Sequence, residues 1–181
     1  FNLFNKKIAY QIKKITNKQF GITEILLTPT SAKIKYLAGQ FAFFTFPTLS
    51  KREQHPFTIS SYPTDNDLRI TVKGLGDYTH NLYHKIKVGD TALIEGPYGH
   101  FSSSYIREKE QIWIAGGIGI TPFLSLAKDI HTNKVSLYWC VNKEEEAVYV
   151  EITSTNTEDL VSSAEKIKEY IKGYNETHSH I

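Results

Sequence analysis

The stretch QIWIAGGIGITP, residues 111–122, separates two sequence patterns in this chain of 181 residues. The run that begins at Gln111 is almost continuously apolar, as is typical of a strand buried in a parallel sheet. Glycines follow, and Thr121 predicts the start of a helix because its hydroxyl can cap the first turn and Pro122 suits the first helical position. A second apolar run at 135–141 completes the pattern of one βαβ unit.

Upstream of this stretch, the sequence predicts a small antiparallel β-barrel. Short runs rich in β-branched and aromatic residues alternate with Gly, Pro, Asp and Asn, which favours strands joined by turns. One segment, 77–86, instead carries apolar residues at helical spacing and predicts a single helix inserted between strands. The strands are predicted at residues 8–12, 22–28, 32–36, 40–46, 57–61, 68–73 and 91–95.

Two domains are therefore expected. Residues 1–107 are predicted to form the antiparallel barrel, and residues 108–181 a parallel-sheet α/β domain. The second domain is short for a complete doubly wound sheet, so we expect it to be incomplete. The helix that begins at Thr121 is predicted to run through Ile130, and a last amphipathic helix is predicted at 158–172.

Composition and charge exclude several functional classes. The 21 basic and 19 acidic residues are interspersed, with a net charge of +2, so there is no electrostatic case for binding nucleic acid. A single cysteine, Cys140, excludes an internal disulfide and fits a reducing compartment. The histidines lack a recognisable metal-ligand spacing, and we expect no protein-bound metal. No apolar run reaches the roughly 20 residues that cross a bilayer.

The segment HPFTISS, residues 55–61, is the first candidate for a binding site. A proline opens a strand in which hydroxyl residues alternate with apolar ones. Hydroxyls and strand amides can hydrogen-bond the edge of a flat ligand while Phe57 packs against its face. The residues alone favour an ordinary strand with polar surface positions, because hydroxyl residues are common on strands.

Two glycine-rich segments are candidate phosphate sites. In VKGLGDYT, residues 72–79, a strand ends in two glycines and a helix begins, so that the main chain and free N–H groups can approach a phosphate closely. In IAGGIGITP, residues 114–122, glycines lie between a strand and a capped helix, the context that a dinucleotide phosphate site requires. Each segment alone also fits a plain structural turn.

Five motifs in one order give a resemblance to a known family. They are Y-x-x-G-Q at 36–40, HPFTISS at 55–61, G-x-G-x-x-T at 74–79, GPYG at 96–99 and GGIGITP at 116–122. In this order and at these separations they resemble the flavin- and nicotinamide-binding module of the ferredoxin-NADP⁺ reductase superfamily. The pattern is most similar to that of ferric reductases and NADPH oxidases. We interpret GPYG as a turn that closes the barrel at the domain junction.

The resemblance implies two cofactors and assigns residues to each. For FAD it implies His55, Pro56, Phe57, Thr58, Ser60, Ser61, Lys73, Gly74, Gly76 and Thr79. Thr58 is implied to lie nearest the reactive edge of the flavin and is the catalytic candidate. For NADH or NADPH it implies Gly116, Gly117, Gly119, Thr121, Cys140 and Lys143. Three glutamates follow Lys143 and oppose a 2′-phosphate, which favours NADH.

The resemblance also implies the function of an FAD-dependent NAD(P)H oxidoreductase. Electrons would pass from the nicotinamide through FAD to a one-electron acceptor: the haem of a transmembrane domain, ferric iron or oxygen. We expect a cytoplasmic location at the cytosolic face of a membrane protein, of which a chain that begins at Phe1 would be an excised portion. Two alternatives stay open. One is a soluble flavin or ferredoxin-type reductase, and the other is a flavin-binding electron-transfer or regulatory subunit that does not oxidise NAD(P)H.

Overall fold

The computed structural model describes residues 7–102, 105, 110–129 and 134–141, which divide into two compact units. The first unit contains the chain up to Tyr105 together with the segment that begins at Thr121. The second contains residues 110–120 and 134–141. The strands are β1 (Ile8–Asn17), β2 (Ile22–Pro29), β3 (Phe41–Thr45), β4 (His55–Thr58), β5 (Leu68–Lys73), β6 (Thr91–Tyr98), β7 (Glu110–Gly116) and β8 (Lys134–Cys140). The helices are α1 (Asp77–Lys85) and α2 (Thr121–Leu126).

The first unit is a curled antiparallel sheet of six strands in the order β4-β3-β6-β1-β2-β5. The two outer strands approach each other just after β4, where the Ser60 amide donates to the Arg69 carbonyl at 2.8 Å and Ile59 forms a bridge with Ile70. The core inside this curl is apolar, and its largest fully buried side chains include Tyr10, Phe44, Phe46, Ile12, Ile25, Leu27 and Leu68. This antiparallel barrel, with the parallel pair of the second unit, confirms the predicted fold class.

Helix α1 is close to its prediction, whereas the strand expected at 32–36 does not form. The segment is extended, but it joins no ladder. The Ile34 amide donates instead to the Tyr10 hydroxyl at 2.8 Å, and the Lys33 ammonium donates to the Pro63 carbonyl at 3.0 Å. The Tyr10 side chain thus supplies to the Ile34 amide a hydrogen bond that a strand takes from a neighbouring strand.

The Gly96-Pro97 pair also departs from its prediction. We expected a turn, but both residues lie within β6. Phe41 of β3 pairs with Tyr98, and Phe43 pairs with Glu95, so β6 has one extra residue at this point. Such a bulge tolerates a proline in a strand because the local ladder is already interrupted.

The second unit is a two-stranded parallel sheet in which β7 pairs with β8 in register from Glu110 and Lys134 to Gly116 and Cys140. Both predicted strands are confirmed. The side chains of β7 alternate, with Trp113 and Ala115 buried, while Ile114 on the opposite face is 46% exposed. A 3-10 turn, Gly117–Ile120, follows β7.

Helix α2 begins at Thr121 as predicted but ends at Leu126, where the 3-10 turn Ala127–Asp129 takes over. The helix predicted at 158–172 and the predicted helix end at Ile130 lie outside the described residues. Within the part of the chain that the structure describes, no helix combines the length and the apolar character that a bilayer crossing requires.

Candidate functional site

Strand β4 lies at an edge of the sheet and leaves one side of its main chain open. It is hydrogen-bonded to β3, and the Ile59 amide continues that ladder by donating to the Gln40 carbonyl at 3.0 Å. Because amides alternate in direction along a strand, the Thr58 amide points to the other side, away from β3. Pro56 shares that orientation and lacks an N–H, which suits an open edge.

The two faces of β4 differ in character. Phe57 pairs with Ala42 and His55 with Phe44, so His55 and Phe57 lie on the face that is turned to the apolar core. Thr58 pairs with Phe41 and lies on the opposite face. The HPFT residues predicted to contact one ligand therefore alternate between two faces of one edge strand.

The face that carries Thr58 is rich in aromatic rings. The rings of Phe41, Phe43 and Tyr98 contact one another there, with centroids 5.4–5.9 Å apart. No hydrogen bond joins the Thr58 hydroxyl to a residue that the structure describes. Thr58 thus offers an uncommitted hydroxyl beside an apolar surface and an amide on the open edge.

His55 joins β4 to the first turn of α1. Its imidazole stacks on the Tyr78 ring with the centroids 3.6 Å apart. The His55 Nε2 atom is buried without a hydrogen-bond partner, and the nearest carboxylate oxygen, from Glu53, is 3.7 Å away. Burial is the main cause that raises the pKa of Tyr78 to about 12, and the Glu53 charge adds to it. A buried ring nitrogen without a partner is a costly arrangement that a ligand group can relieve.

A groove of about 640 Å³ lies beside the His55–Tyr78 pair. It is lined by Leu49, Ser50, Glu53, Gln54, His55, Asp77, Tyr78, Asn81 and Lys85. Two carboxylates and one ammonium face this space, so the groove is not basic. Asp77, whose charge opposes a phosphate, is exposed at its wall.

The glycine segment before α1 contains one glycine that the fold explains and one that it does not. A Cβ on Gly74 would come within 2.9 Å of the His80 imidazole, so the small residue leaves room for that ring. A Cβ on Gly76 would meet nothing within 4 Å, and Gly76 has an extended φ of −152° that other residues adopt. Leu75 between them is 72% exposed. Packing within the chain therefore gives no reason for glycine at Gly76.

Thr79 uses its hydroxyl to cap the helix. The oxygen accepts the Leu75 amide at 2.9 Å and the Gly76 amide at 3.1 Å, and it donates to the Gly76 carbonyl at 3.0 Å. This cap holds the two-glycine turn in shape and leaves N–H groups of the first helical turn for a ligand. Lys73, the last residue of β5, pairs with Ile22 directly before this turn.

Ser60 and Ser61 do not have the free hydroxyls that we predicted for FAD contacts. The fully buried Ser60 hydroxyl donates to the Arg69 carbonyl at 3.1 Å and lies 3.2 Å from the Thr71 hydroxyl. The Ser61 hydroxyl accepts the Arg69 amide at 2.9 Å and bonds the Tyr36 hydroxyl at 2.8 Å. Both hydroxyls are buried and bonded inside the first unit, and a contact of either side chain with FAD stays a prediction.

The Y-x-x-G-Q motif is likewise committed to the fold. Gly39 has φ +91°, and a Cβ there would lie 2.1 Å from the Phe101 carbonyl oxygen, which only glycine accommodates. The Gln40 side chain accepts the Leu37 amide and donates to the Gly99 carbonyl, both at 2.8 Å. These bonds tie the loop before β3 to the GPYG segment and so support the edge on which β4 lies.

The predicted nicotinamide residues are brought together only in part. Gly116 and Cys140 are paired neighbours at the carboxyl ends of β7 and β8, where ligands of α/β sheets bind. Gly117 has φ +48°, and a Cβ on Gly116, Gly117 or Gly119 would meet nothing within 4 Å. Thr121 is buried and belongs to the first unit. Lys143 and the following glutamates lie outside the described residues.

Three residues that contact the predicted site segments were not predicted from the sequence. Tyr78 stacks on His55, Trp139 donates to the Gly117 carbonyl at 2.9 Å, and Ser125 donates to the Ser61 carbonyl at 2.6 Å. Their partners lie 22 to 64 residues away, and no local pattern marks such pairs. Over residues 7–102, 105, 110–129 and 134–141, no cluster of three His, Cys, Asp or Glu side chains has metal-binding geometry.

Comparison with protein families gives one match over half of the chain. The model of an FAD-binding domain matches residues 9–102. Among curated proteins, the chain is 36% identical over 116 residues to ferric reduction oxidase 8, mitochondrial, of Arabidopsis thaliana. It is 29% identical over 116 residues to NADPH oxidase 1 of Mus musculus. The alignments cover 58% and 56% of this chain but only 16% and 20% of the relatives, so the chain is a small part of their length.

Solved structures share the fold at low identity. Ferredoxin-NADP⁺ reductase from Plasmodium falciparum superposes with a TM-score of 0.78 at 18% identity and covers 97% of this chain and 84% of its own. The FAD/NAD-binding domain of a nitric oxide dioxygenase from Vibrio cholerae gives a TM-score of 0.70 at 22% identity, covering 86% and 78%. Together with the family match, these similarities confirm the resemblance drawn from the five motifs.

Proposed function

This chain belongs to the family of FAD-binding domains related to ferric reductases and NADPH oxidases, and from that premise we propose that β4 and the start of α1 hold one FAD. The observation that carries the proposal is the His55–Tyr78 stack. It connects the strand and the helix that the flavin and pyrophosphate motifs occupy, and it leaves His55 Nε2 buried without a hydrogen-bond partner among the described residues.

The uncommitted groups of the site fit the polar parts of a flavin dinucleotide. Thr58 offers a hydroxyl and an edge amide, which suit the carbonyl and nitrogen edge of an isoalloxazine ring. The first turn of α1 offers N–H groups to a pyrophosphate, and Gly76 has no side chain that would obstruct its approach. Because Glu53 and Asp77 line the groove beside Tyr78, we place the phosphates at the glycine main chain and not in that groove.

We also assign the nicotinamide dinucleotide to the second glycine segment. Gly116, Gly117 and Gly119 leave open space where their side chains would stand, and Cys140 lies beside the first of them. Thr121 and Lys143 complete the set inferred from resemblance. When bound, FAD would supply the hydride acceptor for the nicotinamide and the means to release electrons singly. The protein contributes positioning, and we assign it no acid or base.

The acceptor in this proposal is a one-electron acceptor: haem in a membrane domain, ferric iron or oxygen. The names of the similar proteins, ferric reduction oxidase and NADPH oxidase, support this class. We place the chain at the cytosolic face of such a protein. The competing proposal, a flavin-binding subunit that does not oxidise NAD(P)H, is favoured by one observation, the two-stranded extent of the described parallel sheet.

An anaerobic titration tests these assignments. The purified chain is loaded with FAD, washed, and mixed with NADH and separately with NADPH while the visible flavin absorbance is followed. Bleaching by either nucleotide supports the reductase, and retained flavin without bleaching supports the subunit that does not oxidise NAD(P)H. A protein that retains no flavin contradicts the proposed FAD site.

A matched pair of variants locates the flavin. His55→Phe keeps a ring that stacks on Tyr78 but removes the nitrogen, and we expect it to weaken FAD binding about tenfold if Nε2 meets the ligand. His84→Phe makes the same change at an exposed position of α1 and is expected to leave FAD affinity unchanged. Equal affinity of both variants for FAD would remove His55 from the site.

A further inference from the structure

Ser125 forms a buried connection between the two cofactor-binding segments. It lies on α2 and is fully buried, and its hydroxyl donates to the Ser61 carbonyl at 2.6 Å. Ser61 is three residues after Thr58, and Ser125 is four residues after Thr121. Both serines belong to the first unit. One hydrogen bond thus joins the segment assigned to the flavin to the helix that follows the nicotinamide glycines.

Ser61, the acceptor of this bond, is held in place by further hydrogen bonds. The Ser61 hydroxyl accepts the Arg69 amide at 2.9 Å and bonds the Tyr36 hydroxyl at 2.8 Å, and that tyrosine also donates to the Tyr62 carbonyl at 2.9 Å. Burial is the main cause that raises the pKa of Tyr36 to about 12, so its hydroxyl stays protonated and keeps donating. A buried network whose members are all satisfied holds its geometry firmly.

Helix α2 and the turn after it have two further contacts with the same unit. Phe123 of the helix packs edge-to-face on Phe101 with the centroids 5.4 Å apart, and in the 3-10 turn directly after the helix the Lys128 ammonium pairs with the Asp65 carboxylate at 2.9 and 3.0 Å. The lysine is exposed, so its ion pair contributes little to holding the helix. Ser125 is the buried polar contact of the three and the one that reaches the flavin-binding segment itself.

We propose that Ser125 is a positioning residue for hydride transfer, which fixes Thr121 relative to Thr58. The inference rests on the proposed function. Thr121 is the member of the proposed nicotinamide set that lies in the first unit, and Ser125 holds its helix to Ser61 within that unit. Hydride transfer is sensitive to sub-ångström placement of the reacting atoms, and the residue that sets this placement affects the rate more than it affects binding.

The test compares Ser125→Ala with a matched control, Thr71→Val, in the full chain loaded with FAD. The control also removes a buried hydroxyl of the first unit. That hydroxyl lies 3.2 Å from the Ser60 hydroxyl, so this hydrogen bond joins β5 to Ser60 and does not involve α2. Stopped-flow measurement of flavin reduction over a series of NADH or NADPH concentrations gives the limiting rate and the nucleotide dependence. We expect Ser125→Ala to lower the limiting rate by about tenfold or more while the Kd for FAD stays unchanged.

Two kinetic results would overturn the proposal. One is a limiting rate in Ser125→Ala equal to that of the parent chain, and the other is an equal loss in Thr71→Val, which would indicate general destabilisation. Hydrogen exchange of the α2 amides gives a readout without turnover, and we expect faster exchange in Ser125→Ala only. Unchanged exchange in Ser125→Ala contradicts the positioning role of Ser125. Failure of NADH and NADPH to reduce the flavin of the parent chain is a separate result, which counts against the proposed function.

Discussion

Replacing Thr58 by Val isolates the contribution of one hydroxyl to flavin binding. Valine keeps the branched shape that suits a strand, and the main-chain amide at this position is unchanged. The Thr58 hydroxyl makes no hydrogen bond to a described residue, so its removal breaks no bond within that part of the chain. We therefore expect the free energy of unfolding of the flavin-free protein to change by less than about 0.5 kcal/mol.

The effect should appear in the FAD complex instead. One hydrogen bond contributes about 0.5–1.5 kcal/mol, which corresponds to a Kd for FAD raised roughly two- to twelvefold. Titration of the flavin-free protein with FAD, followed by flavin fluorescence, measures this change. Thr45→Val, the same replacement at a buried position of the neighbouring strand β3, serves as the control with an unchanged Kd. If Thr58→Val changes neither the Kd nor the rate of flavin reduction, Thr58 does not contact the flavin.

Three further predictions concern stability and the glycine turn. Thr45→Val should raise the free energy of unfolding in urea by about 1 kcal/mol, because the Thr45 hydroxyl is buried without a partner. Gly39→Ala should lower the free energy of unfolding by at least about 2 kcal/mol, because an alanine there has a positive φ and meets a carbonyl oxygen. Gly76→Ala should leave the free energy of unfolding almost unchanged and weaken FAD binding. The hydrogen bond from Lys13 holds the pKa of Asp67 below its ordinary 3.8, so the stability that Asp67 adds is present above pH 3.8 and is lost as the pH falls through the lowered pKa. Asp67→Asn should abolish that part of the acid dependence in denaturation curves.

The strands of the barrel were predictable because β-rich runs are divided by turn residues, and the βαβ order because an apolar run, a capped helix start and a second apolar run follow one another. The pattern gave β5 with its observed bounds and placed α1 within one residue of its end. The segment 32–36 shows where such reasoning fails. It has the composition of a strand, but a strand also needs a partner, and the Tyr10 hydroxyl occupies the Ile34 amide.

The elements that carry the candidate site were predictable from the sequence, but the hydrogen bonds of their side chains were not. The motifs located β4, the turn before α1 and the turn after β7, and they singled out Thr58 but placed Ser60 and Ser61 in the same set of FAD contacts. What separates these hydroxyls is long-range pairing: the bonds of Ser61 reach Tyr36 and Ser125, 25 and 64 residues away. A single sequence without its contacts carries no information on such partners.

Glycines and hydroxyls in a motif identify a ligand only where the fold itself has no use for them. Glycine is required at Gly39 because a Cβ there would lie 2.1 Å from a carbonyl oxygen, and the Thr79 hydroxyl caps the helix. These residues would be retained by a barrel that bound nothing. Gly76, Thr58 and the Nε2 atom of His55 have no such internal explanation among the described contacts. Gly76→Ala, Thr58→Val and His55→Phe change these groups alone, and the last of them keeps a ring on Tyr78. Their effects on FAD affinity therefore test the flavin assignment with little interference from stability.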